Sequence, residues 1–458
     1  MVKLRNWHKY AGLWSAAILL ILAITGFFLD HKSWSFLYTT TISNNYLPQS
    51  MHDKSVDLTE AYWVDETRGI TLVGSKRGLF LKDDAEHFVP VLEQQVLAIR
   101  EERGTGALFC ATDNGLYRSL DAKRWTPFAL SGSYINALSL YEGTLVAVIE
   151  KEELVVLDAA TAAVKSRSSV RIDPQELQHD ISLSRYVRDF HYGRGLFDGF
   201  WSLLINDITA FVMTLLSVTG LMIWWIIKKV RAKERSYVKG LKPTIKSHGN
   251  IYVLLFVLPM VLFSLTGIIL DHSQFFNRYI KKVTLSHAIL PPIYDSLQAD
   301  IWSVDYDGTS YRIGNRYGIY KSSDLKEWRF ENRGLGYKME RFDDTLVVSG
   351  MGAPNRIYRP ETGWKLLLKT PHMFKDVWEE DGRYHFFSTH RLDVSLPTFE
   401  TTTLYSLLLA LHDGTFFASW WVYVNDVAAI LLLILLFSGT WRWFRQKRGV
   451  VKKLRKRI

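Results

Sequence analysis

The sequence has almost no cysteine, since Cys110 stands alone in 458 residues. A disulfide framework, a cysteine-held zinc or iron–sulfur site and a haem attached through Cys-x-x-Cys-His are therefore excluded. Two phosphate-binding motifs are also missing, the Gly-x-Gly-x-x-Gly turn and the Gly-x-x-x-x-Gly-Lys-Ser/Thr loop. No Ser–His–Asp hydrolase motif stands out. The sequence thus predicts neither a flavin or nicotinamide domain of its own nor an ATP-driven pump.

Four long apolar segments carry most of the hydrophobicity. The mean hydropathy is −0.01, but residues 11–29, 203–227, 251–270 and 422–440 hold few or no charges. Each has about 20 residues, the length at which a helix crosses roughly 30 Å of hydrocarbon. The first segment has a basic start but no small-residue cleavage site after it, so we expect a retained anchor. The sequence predicts a membrane protein with four transmembrane helices.

Positive charge is concentrated on one side of these segments. Residues 1–9, the loop 228–248 and the tail 442–458 carry 20 Lys and Arg against one acidic residue, Glu234. The positive-inside rule places these stretches, and both termini, on the cytoplasmic side of a bacterial inner membrane. The two long stretches between the spans are then periplasmic.

The two halves of the chain repeat one another. The first and third spans both end in Thr-Gly, three apolar residues and Asp-His. The second and fourth are both preceded by His-x-Gly, contain Asn-Asp and end in a small residue, a glycine and tryptophans. Each half is therefore helix, exterior insertion, helix, in one orientation. Such a parallel repeat usually has a pseudo-two-fold axis along the membrane normal.

The exterior insertions have a shorter repeat of their own. Gly78-Leu79-Phe80, Gly115-Leu116-Tyr117 and Gly318-Ile319-Tyr320 each follow a strand-like run, with turns spaced for about four short strands per unit. Propeller blades have this pattern, and the predicted fold class is an α+β membrane protein with an all-β, propeller-like periplasmic part. The six units could close into one ring; two separate small sheet domains are the alternative. The units lie near 61–92, 96–129, 135–167, 301–331, 338–369 and 377–400.

These patterns divide the chain into alternating membrane and exterior parts. The predicted membrane parts are 1–31 with the cytoplasmic start, 201–230, 250–272 and 419–444. The predicted periplasmic insertions are 32–200 and 273–418, and the predicted cytoplasmic parts are the loop 231–249 and the tail 445–458.

Six of the 13 histidines lie at the ends of the apolar segments, and each has a counterpart in the other half. An ionisable side chain at membrane depth is costly and is a functional candidate by default. Two imidazoles that face each other across the axis are what a b-type haem requires, since its iron takes axial ligands on opposite faces. We expect an inner haem held by His8 and His248. An outer haem would be held by His191 and His412 or, alternatively, by His31 and His272.

Small residues fall beside these histidines. Glycine lets a flat macrocycle approach a helix closely, and threonine can hydrogen-bond locally, although ordinary helix packing explains the same pairs. Asp207 and Asp426 would either orient a ligand histidine or begin their helices. The small pairs are Thr25-Gly26 and Thr266-Gly267 on the outer side, and Thr219-Gly220 and Ser438-Gly439 on the inner side.

Several of these motifs occur together in a known family. They are His8-Lys9-Tyr10-Ala11-Gly12, His191-Tyr192-Gly193, Asn206-Asp207, Thr219-Gly220 with Trp224-Trp225, and His412-Asp413-Gly414 with Asn425-Asp426. In them the chain resembles the PepSY-associated transmembrane helix family, which includes haem-containing inner-membrane reductases of periplasmic, often siderophore-bound iron. The resemblance implies that His8, His191, His248 and His412 occupy the family's recurring histidine positions. No PepSY module is recognisable in the insertions, where the blade-like repeats stand instead.

The sequence therefore predicts a ferric or ferric-siderophore reductase with one or two bis-His haem b groups, which passes electrons outward across the membrane. Without its own flavin, it needs an external donor, either quinol or a cytoplasmic reductase. Further expected partners are the lipid bilayer, ferric iron or a ferric chelate, a ferrous iron transporter and a second copy in a homodimer, but no nucleic acid. The alternative function is a cofactor-free membrane scaffold whose propeller recognises a peptide, glycan or partner protein. A transporter ranks third.

Overall fold

A computed structural model describes residues 2–52, 58–232, 234–297, 299–388 and 394–455. The chain forms two compact units. The helical unit comprises Met1–His52, Ser182–Val283 and Thr402–Ile458, and the sheet unit comprises Asp53–Ile181 and Thr284–Thr401. Both sheet segments are thus insertions into the helical unit.

The helical unit contains long apolar helices and short amphipathic ones. In the described part of the chain, three helical stretches are long and apolar enough to cross a membrane: Asn6–Asp30, Gly199–Arg231 and Ser419–Arg445. The predicted membrane protein is therefore confirmed. The helices are α1 Val2–Asp30, α2 Phe36–Thr39, α3 Leu183–His191, α4 Gly199–Arg231, α5 Val238–His248, α6 Ile251–Leu255, α7 Val257–Asp271, α8 Ser273–Ile280, α9 Leu404–Asp413 and α10 Val422–Arg455.

The predicted third span is not one straight helix. Its residues fall into α6 and α7, and the stretch Val238–Leu255 meets Val257–Asp271 at an angle of 76°. Pro259 explains the break, because proline has no N–H to donate to the carbonyl of Leu255 four residues earlier. The bent pair makes a fourth span only if it is counted as one, so four spans remain a prediction.

The long helices pack as the duplication predicts. Helix α1 contacts α4 and α10, and α7 contacts the same two helices. The short helix α9 packs on α1, and its counterpart α3 packs on α7. Both short helices begin with a hydroxyl side chain that accepts from a backbone N–H, Ser182 in α3 and Thr403 in α9. The shared core consists of Leu19, Val212, Met260, Ala428, Leu432 and Leu436.

The sheet unit confirms the predicted series of small antiparallel sheets. Among the described residues, five sheets have four strands, each with its strands in chain order, and three sheets have two strands. Part of the sixth predicted repeat, 389–393, lies outside the described residues. The sheets are A (Thr59–Asp65, Ile70–Ser75, Gly78–Lys82, Phe88–Leu92), B (Val96–Glu102, Ala107–Thr112, Gly115–Ser119, Thr126–Ala129), C (Ile135–Tyr141, Thr144–Ile149, Glu153–Asp158, Val164–Ser169), D (Ser303–Tyr306, Tyr311–Gly314, Gly318–Ser322, Arg329–Arg333), E (Lys338–Phe342, Thr345–Ser349, Arg356–Arg359, Gly363–Leu366) and F (Asp376–Glu380, Arg383–Phe387). Four further short strands are Thr41–Ser43, Ile181–Ser182, Thr284–Leu285 and Thr401–Thr403.

The first strands of the sheets are neighbours of one another. The first strand of A contacts that of B, and the contacts continue through C, D and E to F, whose first strand contacts that of A again. Side chains join these strands: Tyr62 of A donates its backbone N–H to Asp376 of F, and Arg341 of E binds Asp305 of D. Side-chain contacts therefore join the first strands of neighbouring sheets.

Glu340, on the first strand of sheet E, gives the stability of the protein a pH dependence. Burial raises the pKa of Glu340 from 4.5 to about 8, although the guanidinium of Arg100 lies 2.6 Å away. The folded chain then keeps a proton that the unfolded chain loses above pH 4.5. Stability from this group is therefore complete below that pH and falls, by up to about 1.4 kcal/mol per pH unit, as the pH rises towards 8.

The variant Glu340→Gln should remove this dependence. We expect the Tm of the purified protein to fall less between pH 5 and pH 8 in this variant than in the wild type, because glutamine has no proton to lose. The exposed residue Glu361 provides a control, since Glu361→Gln should leave the slope unchanged. Parallel curves for wild type and Glu340→Gln would contradict the assignment.

Candidate functional site

Four of the six candidate histidines are held in the same way. Ring nitrogen Nδ1 lies within hydrogen-bond distance of the hydroxyl of one Thr-Gly or Ser-Gly pair. The helix that carries the hydroxyl always belongs to the other half of the duplication, so neither half completes a contact alone. The pairs are His8 with Ser438 (2.7 Å), His248 with Thr219 (2.8 Å), His191 with Thr266 (3.2 Å) and His412 with Thr25 (2.8 Å).

Each of these hydroxyl groups already donates its hydrogen to a backbone carbonyl. Thr219 donates it to the carbonyl of Leu215, one turn earlier in its own helix, at 2.5 Å. The other three hydroxyls donate to carbonyls of their own helices in the same manner. The oxygen can then only accept from the imidazole, so Nδ1 carries the ring proton. In the neutral ring, the Nε2 lone pair is left as the metal ligand.

The glycine of each pair lets the imidazole lie against the helix. A Cβ atom at Gly220 or Gly439 would be 3.5 Å from Cε1 of His248 or His8. At Gly267 and Gly26 the corresponding distances to the outer histidines are 3.4 and 3.3 Å. An alanine would just touch the ring, and a branched side chain would displace it. The sequence predicts that these glycines make room for a macrocycle. In the structure they also make room for the imidazole ring, which lies directly against them.

His8 and His248 face each other. Their ring centroids are 6.3 Å apart and their planes are nearly perpendicular, at 86°. Two imidazole nitrogens at about 2 Å from one metal ion are about 4 Å apart, and their ring centroids are then a little over 6 Å apart. Among the described residues, no hydrogen bond to Nε2 of either ring occurs. The inner pair therefore fits bis-imidazole ligation of haem iron.

His191 and His412 lie at the ends of α3 and α9, outside the apolar spans. Burial and, in second place, the positive charge that His412 would carry lower the pKa of His191 to about 4. Burial likewise lowers the pKa of His412 to about 4. Both rings are therefore neutral at pH 7. The separation along α1 between His8 and Thr25, which holds His412, is 17 residues, or about 26 Å of helix.

The alternative outer histidines have different partners. His31 donates Nδ1–H to the carbonyl of Phe27 at 2.9 Å, and its Nε2 is 3.6 Å from Oδ2 of Asp207. In the other half, Nε2 of His272 is 2.6 Å from Oδ2 of Asp426. The two aspartates are therefore partners of His31 and His272. They are not partners of the four histidines whose Nδ1 contacts a Thr or Ser hydroxyl, here called the clamped histidines.

The asparagines beside these aspartates hold the outer histidine segments. Asn206 donates to the carbonyl of Tyr192 at 3.2 Å, and Asn425 donates to that of His412 at 3.1 Å. Asn206 also donates to Asp30 at 2.5 Å, a contact between spans that the sequence did not suggest. The repeated Asn-Asp spacing was the signal for these contacts. Among the described residues, no group of three or more His, Cys, Asp or Glu side chains could hold a metal ion.

The glycine of each His-x-Gly motif is required by its surroundings. Gly193 has φ +71°, and a Cβ there would be 2.2 Å from Oδ1 of Asn206. Gly414 has φ +85°, and its Cβ would be 2.4 Å from Cδ1 of Trp421. Both positions combine a left-handed backbone with a close neighbour, which only glycine accommodates.

The helical unit is a duplicated membrane domain in which each half holds two histidines of the other half through Thr or Ser hydroxyls. The family described as PepSY-associated TM region matches residues 5–446, so the chain belongs to that family. No curated protein matches the chain. Among solved structures, the crystal structure of the computationally designed Ika8 protein covers 72% of this chain and 80% of that chain, with 8% identity and a TM-score of 0.32. A likeness at that score supports no statement about this chain.

The variant Gly193→Ala should destabilise the protein more than a glycine-to-alanine change at a left-handed position that has no close neighbour. We compare it with Gly382→Ala, where φ is +72° but a Cβ would meet nothing within 4 Å. The control should cost about 1 kcal/mol of unfolding free energy, and Gly193→Ala about 1 to 3 kcal/mol more because it displaces Asn206. Equal losses of Tm would contradict the packing described here.

Proposed function

We propose that this chain is a haem b-containing inner-membrane oxidoreductase that passes electrons outward and reduces periplasmic ferric iron or ferric chelates. The observation that carries the proposal is the inner pair, in which two imidazole rings lie with a centroid spacing of 6.3 Å and nearly perpendicular planes. Haem b held by two imidazoles supplies a one-electron couple between ferric and ferrous iron. His8 and His248 would hold the inner group, and His191 and His412 the outer one.

The protein's own side chains prepare these sites. The hydroxyls of Thr219 and Ser438 fix the proton on Nδ1 and the ring orientation, which raises the basicity of Nε2 as a ligand. The two sites draw on opposite ends of α1, about 26 Å apart along the helix.

We infer that sheets A to F form a six-bladed propeller on the periplasmic side, with both termini in the cytoplasm. The contacts of the first strands support the ring, because the series returns from F to A. The 2.6 Å contact between the guanidinium of Arg100 in sheet B and the carboxyl group of Glu340 in sheet E supports it further, since B and E are opposite blades of such a ring. The basic flanks of the spans support the orientation.

Haem binding is tested by removing the inner ligands. We expect the purified wild-type protein, expressed with haem supplied, to show a Soret band. The double variant His8→Ala, His248→Ala should lose the haem of the inner site, measured as pyridine haemochrome per chain. The control His385→Ala removes a histidine of the sheet unit, on the second strand of sheet F, and should retain the wild-type haem content.

A colourless wild-type preparation would contradict the proposal, as would an unchanged spectrum in the double variant. Whole-cell ferric reduction with and without the gene separates the reductase from the cofactor-free scaffold. A scaffold should leave the rate unchanged, whereas a reductase should raise it.

The hydroxyl clamp is tested on one helix with a matched pair of variants. Thr219→Val keeps the shape but removes the acceptor for Nδ1 of His248, so we expect haem affinity to fall about 10- to 100-fold. Thr209, also buried in α4, donates to a backbone carbonyl but has no histidine partner. Thr209→Val should therefore leave haem affinity unchanged. Equal affinities in the two variants, measured by haem titration, would contradict the clamp.

A further inference from the structure

The pairs His31 with Asp207 and His272 with Asp426, here the outer Asp–His pairs, have no role in holding the clamped histidines. In the first pair, Nδ1–H of His31 is committed to the carbonyl of Phe27. The remaining nitrogen, Nε2, is therefore a base in the neutral ring. It faces the carboxylate of Asp207 at 3.6 Å, which would stabilise a proton gained there.

The second pair joins the same two residue types at a shorter distance, with the proton on the other ring nitrogen. Nε2 of His272 and Oδ2 of Asp426 are 2.6 Å apart, so this nitrogen donates to the carboxylate. The neutral ring then has its lone pair on Nδ1, and the carboxylate stabilises the ring when it is protonated. In both pairs the second carboxylate oxygen, Oδ1, is buried and has no hydrogen-bond partner within the described residues. Each pair thus combines a base with an unused acceptor for an O–H group.

An exposed aromatic side chain lies beside the histidine of each pair. Trp34 lies against His31 with ring centroids 4.1 Å apart and is 36% exposed. Tyr423 lies 5.6 Å from His272 and is 62% exposed. Phe211, one turn after Asp207 on α4, is 66% exposed. Phe211 and Tyr423 lie on candidate spans, and Trp34 follows the end of the first span by four residues. A planar lipid-soluble molecule would therefore reach the pairs from the edge of the bilayer.

We propose that the outer Asp–His pairs bind a lipid-soluble quinol and accept its hydroxyl protons as it is oxidised. The inference rests on the proposed function and names an electron donor for its outer site. The quinol ring would lie against Trp34 or Tyr423, with one hydroxyl at the imidazole base and Oδ1 of the aspartate as a further acceptor. A quinol suits these groups because it is planar, apolar and a donor of O–H groups.

The oxidation is balanced by the proposed reductase reaction. Each quinol loses two O–H protons and two electrons and becomes the quinone. Two ferric ions gain one electron each and become ferrous, and the imidazoles pass both protons to the solvent. The absence of a flavin or nucleotide motif in the sequence is consistent with an electron donor that comes from the membrane.

The pairs lie next to the segments that carry the outer clamped histidines. Asp207 follows Asn206, which holds the carbonyl of Tyr192 beside His191. Asp426 follows Asn425, which holds the carbonyl of His412. The proton acceptor of each half is therefore one residue away from a contact with an outer ligand segment, so the proton and the electron would leave the quinol at neighbouring positions.

The experiment uses full-length, haem-loaded protein in detergent and the double variant Asp207→Asn, Asp426→Asn. Stopped-flow reduction by decylubiquinol should be about 100-fold slower in the variant, since it loses general-base assistance. Reduction by dithionite, which needs no quinol site, should be unchanged. Asp295→Asn is the matched control, because Asp295 forms a similar pair with His287 at 2.8 Å in the sheet unit. Its decylubiquinol rate should equal that of the wild type.

A second readout does not depend on haem. An azido-ubiquinone photolabel should attach to peptides that contain Trp34 or Tyr423, and Trp34→Leu should weaken labelling of the first. Unchanged decylubiquinol rates in the double variant, or labelling confined to other peptides, would overturn the quinol site and leave the reductase proposal intact. A protein without a haem spectrum would overturn the reductase proposal, while the labelling pattern would still report on the quinone site.

Discussion

The structure of the helical unit depends on one hydrogen bond, made four times. A hydroxyl whose hydrogen is given to its own helix can only accept, so it fixes the imidazole proton on Nδ1 and leaves Nε2 as a ligand. The glycine that follows lets the ring lie against the helix. Because both residues are neighbours in sequence, one dipeptide orients one histidine. Two such histidines, His8 and His248, then meet with the spacing that a bis-imidazole iron site needs.

The duplication gives these contacts their arrangement. Every clamped histidine is held by a helix of the opposite half, so the halves cannot separate without losing all four contacts. The Asn-Asp repeat adds a second layer of contacts, in which the asparagine holds the segment of an outer histidine and the aspartate pairs with the histidine at the end of a span. The histidines that contact hydroxyls and those that contact aspartates are thus distinct sets, although the sequence presents them as equivalent candidates.

Much of this arrangement could be predicted from the sequence, because the repeat places like residues in like positions. Comparing the halves identified the histidines, the small pairs and the Asn-Asp motifs, and the glycine spacing indicated the small sheets. The partners could not be predicted, since they depend on how the helices cross: Asp207 might serve any nearby imidazole, and only packing directs it to His31. Pro259 in the third apolar segment indicates a break in that helix, but an apolar run does not show how far the helix bends there. Burial that raises the pKa of Glu340 depends on contacts between sheets that lie far apart in sequence.

The most direct test of the central claim is an electron paramagnetic resonance spectrum of the oxidised, purified protein. The two inner rings are nearly perpendicular, at 86°, and perpendicular axial imidazoles give ferric haem a strongly anisotropic low-spin signal. We expect that signal in the wild type and its loss in the His8→Ala, His248→Ala variant. A wild-type spectrum without low-spin ferric haem, or with only high-spin ferric haem, would contradict the account.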